Sequence, residues 1–189
     1  MEIIGHLTPE QFWTQQRAIE DQLRAEASTF PTYAVGSWDG PLVLGPWERE
    51  NDVLTSVTLR HGEVDWDGEN VDAPFVEVTT TTKDPHRKAL KTMLSAIGLT
   101  PMSPEYKRRR ESIAASDTQT VSVPVDGTPV DFELHGGDER WWASALLDEH
   151  GVVIEGRRHP VGEVELTGAP DVEPYLDGLR TRIKAARGE

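Results

Sequence analysis

Between Thr118 and Thr167 apolar and polar positions alternate with a period of two. Val121, Val123 and Val125 alternate with Thr120, Ser122 and Pro124 up to Asp126-Gly127, and Val130, Phe132 and Leu134 resume the period beyond it. Asp-Gly between alternating runs marks a β-hairpin, because both turn residues must accept positive φ. Gly136-Gly137, a strand from Arg140 to Leu147, a turn at Asp148-Glu149-His150-Gly151 and the run Val152-Val153-Ile154 continue the series, and Val164 and Leu166 close it.

Upstream, Val53, Thr55, Val57 and Leu59 form one face of a strand that His61-Gly62 would end in a tight turn, with Val64 and Trp66 resuming after it. Phe75 to Thr82 is a second β-branched run. Residues 31–50 hold three prolines and three glycines and read as a turn, a short strand and another turn. Proline cannot donate to a ladder, so that strand belongs at a sheet edge.

Four helices break the pattern. Thr8-Pro9-Glu10-Gln11 carries an N-cap, a proline at N1 and a capping-box glutamine, and Leu7 and Phe12 are spaced for a hydrophobic staple. Phe12, Ile19, Leu23 and Ala27 then mark one face, and the helix should end near Ser28. Asp84-Pro85 opens a second helix with Leu90, Met93, Leu94 and Ile97 at i, i+3, i+4 and i+7, stopped by Gly98. Ser103-Pro104 opens a third, shorter helix. Val172, Tyr175, Leu176, Leu179 and Ile183 define a fourth, with Arg180, Arg182, Lys184 and Arg187 near its C-terminal end, where cations suit the helix dipole.

These elements predict a single α+β domain over residues 1–189: a largely antiparallel sheet of hairpins with about four helices packed on it. Strand, turn, strand, helix describes both 53–98 and 152–187, a hint of a ββα duplication with hardly any residue-level repeat. The predicted core is Val57, Leu59, Leu94, Phe132, Ala143, Ile154, Leu166, Leu176 and Leu179. Trp141 and Trp142, adjacent on one strand, should point to opposite faces of the sheet, and the outer ring would be a candidate anchor for a partner if its face is open.

Charge adds a second organising feature. The chain carries 33 acidic and 19 basic residues, a formal net charge of −14, which disfavours nonspecific binding to nucleic acid or anionic membrane. The average conceals a split. Residues 83–110 hold Lys83, Arg87, Lys88, Lys91, Lys107, Arg108, Arg109 and Arg110 against Asp84 and Glu105, a local net of +6 that leaves −20 for the remainder. Arg87, Lys88, Lys91, Lys107, Arg108, Arg109 and Arg110 are therefore candidate binding residues. The competing reading is a solvated face, or an internal complement to the acidic strands around Glu63 to Asp72.

Motifs for chemistry are sparse. There is no cysteine, which removes disulfides, thiolate metal sites and cysteine nucleophiles. Asp65-Trp66-Asp67-Gly68-Glu69-Asn70 has the acid density of a calcium loop, but its glycine stands at position four and position twelve is Val76, so an Asp-Gly turn fits better. The six histidines never pair at i, i+4, although His135, His150 and His159 could approach one another near the hairpins. Nucleophile elbow, phosphate loop and dinucleotide fingerprint are all missing from the sequence. No metal or cofactor is expected. No apolar run approaches twenty residues and the first residues do not resemble a secretory signal, so a cytoplasmic protein away from the membrane is expected.

The reading these features support is a non-enzymatic protein-interaction module, of which an immunity- or antitoxin-like protein presenting an acidic surface to a basic partner is one concrete version. Two alternatives stand beside it. One is an enzyme with carboxylates and histidines at hairpin ends. The other is a nucleic-acid-associated protein working through residues 83–110.

Overall fold

A computed structural model describes residues 8–63, 73–114 and 119–188. Its centre is one nine-stranded sheet. The strands are β1 (Tyr33–Val35), β2 (Leu42–Glu50), β3 (Val53–Gly62), β4 (Phe75–Thr81), β5 (Gln119–Val125), β6 (Thr128–Gly136), β7 (Arg140–Leu147), β8 (His150–Arg157) and β9 (Leu166–Gly168). Their order is β1-β9-β5-β6-β7-β8-β4-β3-β2. Helices α1 (Pro9–Ala27), α2 (Pro85–Ala96), α3 (Pro104–Ala114) and α4 (Glu173–Arg187) complete it, with a 3-10 turn at Val161–Glu163 before β9. This is the α+β architecture of hairpins and helices that the sequence pattern implies.

Two meanders make the sheet. β5 to β8 form one and β2 to β4 the other, joined where β8 pairs antiparallel with β4 (Ile154 opposite Val78). Antiparallel partners share a face. One inner row therefore runs Leu59, Val78, Ile154, Ala143, Leu134, and the next runs His61, Val76, Gly156, Trp141. The sheet curls so that edge strand β1 returns over its own inner face. The Tyr33 N–H donates to Thr80 Oγ1 (3.2 Å) and the Val35 N–H to His61 Nε2 (3.1 Å). Val35, Val76, Val78, Phe132, Trp141, Ile154 and Leu166 fill the space enclosed by the curl. Gly156 makes this packing possible: a Cβ there would lie 2.2 Å from the Trp141 ring.

α1 and α4 cover the inner face beyond the curl, packing Leu23, Tyr175 and Leu176 on Leu44, Val57 and Leu59. α2 takes the outer face, where Ala89 and Met93 meet Trp142 and Val153. The local signals act as expected. Thr8 and Gln11 form the reciprocal capping box, and Asp84 accepts from the His86 and Arg87 N–H groups. Asp126-Gly127 adopts φ of 48° and 77°, as a two-residue hairpin turn requires. Leu7, half of the expected staple, lies outside the described residues, as do the Asp65–Asn70 turn and the Val64 and Trp66 strand.

Other expectations are corrected. Gly45-Pro46 is not a turn that ends a strand. It sits in an irregularity of the pairing between Leu44 and Trp47, and β2 runs on to Glu50 as an edge strand, where a missing N–H and an extra residue are tolerated. His61-Gly62 is not a turn either, because β3 continues through both against Val76 and Phe75. Residues 53–98 do form hairpin then helix, whereas in 152–187 β9 leaves β8 and pairs with β1 and β5. Eight of the predicted core residues are buried. Leu179 is half-buried at the margin of the α1–α4 cluster. Arg180 is more than a dipole complement: it donates to Glu20 on α1 at 2.7 and 2.9 Å, and Glu20 is only 2% exposed.

Candidate functional site

The basic segment divides into cations that pair with the acidic edge strand and cations that do not. Lys83 Nζ reaches Glu50 at 2.8 Å and Glu48 at 3.3 Å. Lys88 donates to Ser56 Oγ at 2.7 Å and lies 3.5 Å from Glu48. Burial works to raise the Glu48 pKa, but Lys88 and Lys83 outweigh it and hold the carboxyl below its usual range. Burial also lowers the Lys88 pKa, with Glu48 opposing. These two lysines complement the acidic edge strand β2.

Arg87 and Lys91 on α2, and Lys107, Arg108, Arg109 and Arg110 on α3, are exposed and enter no ion pair among the described residues. α3 packs against α2 and is anchored through Tyr106, 8% exposed, with Ser103 Oγ accepting from the Tyr106 N–H at 3.1 Å. The connection between the helices carries two large apolar side chains into solvent, Ile97 at 59% and Met102 at 93%. Gly98, with φ of 81°, turns the chain out of α2. The result is a helical hairpin with an apolar tip between two basic helices. The sequence made the cations visible. The i+7 spacing assigns Ile97 to the buried face of α2, whereas the helix ends at Ala96 and leaves it in solvent.

Trp141 and Trp142 occupy separate clusters on opposite faces. Trp141, 3% exposed, lies in the curled interior and donates its indole N–H to the His159 carbonyl at 2.7 Å. Trp142, 4% exposed, lies under α2 with the Arg140 guanidinium 5.2 Å from its ring centroid. Neither ring is presented to solvent, so neither offers a partner an exposed anchor.

The outer face also gathers carboxylates and histidines. Arg60 pairs with Glu77 at 2.8 Å and Arg140 with Glu155 at 2.5 Å. Burial raises the Glu77 pKa, and Arg60 opposes it. Glu133 faces His135 Nε2 at 2.9 Å and His86 Nδ1 at 3.0 Å, and the same His86 nitrogen lies 3.0 Å from Ser144 Oγ. A nucleophile relay needs the two imidazole nitrogens to face serine and acid separately. Here one nitrogen faces both, and Ser144 is 0% exposed, so this cluster holds α2 to the sheet. His150 packs on Phe30 and His159 on Trp38, so the histidines at the hairpins do not converge.

His61, a turn residue by the sequence pattern, is interior to the sheet. It is 0% exposed; its Nδ1–H donates to the Val76 carbonyl at 3.1 Å, and its Nε2 accepts from Val35 N–H and from Tyr175 O–H at 2.8 Å. Three elements thus converge on one neutral imidazole. Burial brings its pKa down to about 4, and burial pushes the Tyr175 hydroxyl up to about 12. Its sequence signal was parity with Val57 and Leu59.

No protein family, curated protein or solved structure matches the chain. No described helix is long and apolar enough to cross a membrane.

Proposed function

We propose that the protein is a non-enzymatic, cytoplasmic protein-interaction module whose docking element is the α2–α3 hairpin. The observation that supports this is the juxtaposition of Arg87, Lys91 and Lys107 to Arg110, exposed and unpaired among the described residues, with exposed Ile97 and Met102. Arginine and methionine suit interface cores, and an apolar anchor ringed by charge combines affinity with orientation. The partner surface this fits is a protein with a local acidic patch around an apolar pocket. A long polyanion fits less well, because it would extend beyond the hairpin onto a remainder carrying −20.

The test is affinity capture with tagged wild-type protein, the double variant Arg108→Glu/Arg109→Glu, and the double variant Ile97→Ser/Met102→Ser. Both variants should lose the same partner while melting with the wild type. Retention of that partner by both would overturn the hairpin assignment. It would favour instead an acidic face docking a basic partner, the immunity-like version.

A further inference from the structure

A different site lies at the end of the sheet where the β6–β7 turn and the connection from β8 to β9 meet. They border a half-open cavity of about 590 Å³, within the size range of small-molecule sites. Leu134, Pro160 and Val161 give it an apolar wall, and the almost fully buried Trp141 borders it. The backbone at Gly137 and Gly162 opens onto it, and a Cβ at either would meet no atom within 4 Å.

The rim is held in conformations that few residues adopt. Gly136 has φ of 101°, and a Cβ there would lie 2.5 Å from the Arg140 carbonyl oxygen, so the turn requires glycine. Arg158 has φ of 48°, unusual for a non-glycine residue. It is held there by its N–H donating to the Glu139 carbonyl at 3.0 Å and its Nε donating to the Glu139 carboxylate at 3.0 Å. Such backbone persists where surrounding contacts over-determine it, and it pre-organises a site. The Trp141 indole N–H bond to the His159 carbonyl ties wall to rim. His159 also borders the cavity, with its ring packed on Trp38 and its Nε2 buried away from the opening.

We propose that this cavity binds a small uncharged aromatic molecule. The apolar wall and its size fit a planar ring. The rim favours no ionic ligand, since Arg158 is neutralised by Glu139 and Asp138 adds negative charge.

The experiment is an amide and indole chemical-shift titration of the full chain with phenol and with indole, and with benzoate as the charged counterpart. At least one neutral probe should shift Gly136, Gly137 and the Trp141 indole N–H saturably, with Kd on the order of 1 mM or tighter. Benzoate should bind about tenfold more weakly or not at all, following the desolvation cost of a carboxylate. Gly162→Trp and Gly137→Phe should each abolish the saturable shifts without lowering the melting temperature. Shifts that stay linear for both neutral probes, equal binding of benzoate, or binding that survives both filled variants would each overturn the proposal.

Discussion

Lowering the pH should loosen the point where β1, the sheet and α4 converge on His61. In the folded protein this imidazole is buried, neutral and committed at both nitrogens, and its pKa lies at about 4 against an ordinary 6.5. The unfolded chain therefore binds a proton near pH 6.5 that the folded chain refuses. Between these values the unfolded state holds more protons, so stability must fall as pH falls. The contribution is complete above about pH 7 and is withdrawn progressively down to about pH 4, where the folded form protonates as well. A shift of this size corresponds to about 3 kcal/mol at 1.36 kcal/mol per pH unit. The assay is denaturant unfolding followed by tryptophan fluorescence, on wild type and His61→Gln, from pH 7.5 to 4.5. Other groups titrate in both proteins, so their difference isolates His61. The wild-type advantage should shrink by roughly 2–3 kcal/mol across that range. A difference independent of pH would refute the buried neutral imidazole. His61→Ala at neutral pH should cost about 3 kcal/mol or more, because it strands the Tyr175 hydroxyl, the Val35 N–H and the Val76 carbonyl.

Packing predictions follow from the same geometry. Leu176→Ala removes a fully buried side chain between α4 and β2–β3 and should cost about 2–5 kcal/mol in chemical denaturation; a change near 0.5 kcal/mol would mean α4 is not docked. Gly156→Ala puts a methyl group into the Trp141 ring and should cost about 1–3 kcal/mol, with a red-shifted tryptophan emission reporting the displaced indole; native emission and stability would contradict that contact. Arg108→Glu/Arg109→Glu should leave stability within about 0.5 kcal/mol of wild type, as for surface positions without partners.

What the sequence disclosed was local or periodic. The Thr8–Gln11 box, the Asp84 cap, the Asp126-Gly127 turn and the opposite faces of Trp141 and Trp142 each depend on residues within a few positions of one another. The curl does not. β1 and β9 are three residues each, too short for a periodic signal, and they meet across more than 130 positions (Ala34 opposite Thr167). The β4–β8 pairing that joins the meanders is also non-local. Charge counting found the basic segment but could not separate Lys88, drawn inward to Ser56 and Glu48, from Lys91, which remains in solvent. That division depends on which side of α2 faces the edge strand. His61 reads as a turn residue because His-Gly punctuates chains. Only the register of β3 against β4 shows it to be interior.

The hairpin's role is tested most directly by oxidative footprinting of Met102 in protein isolated with its native partners and again after the partners are stripped. Met102, 93% exposed, should oxidise freely in the stripped protein, whereas half-buried Met93 serves as the internal reference. Slower oxidation of Met102 relative to Met93 in the complex is the expected result. Equal relative rates in the complex and in the stripped protein would contradict docking through the α2–α3 hairpin.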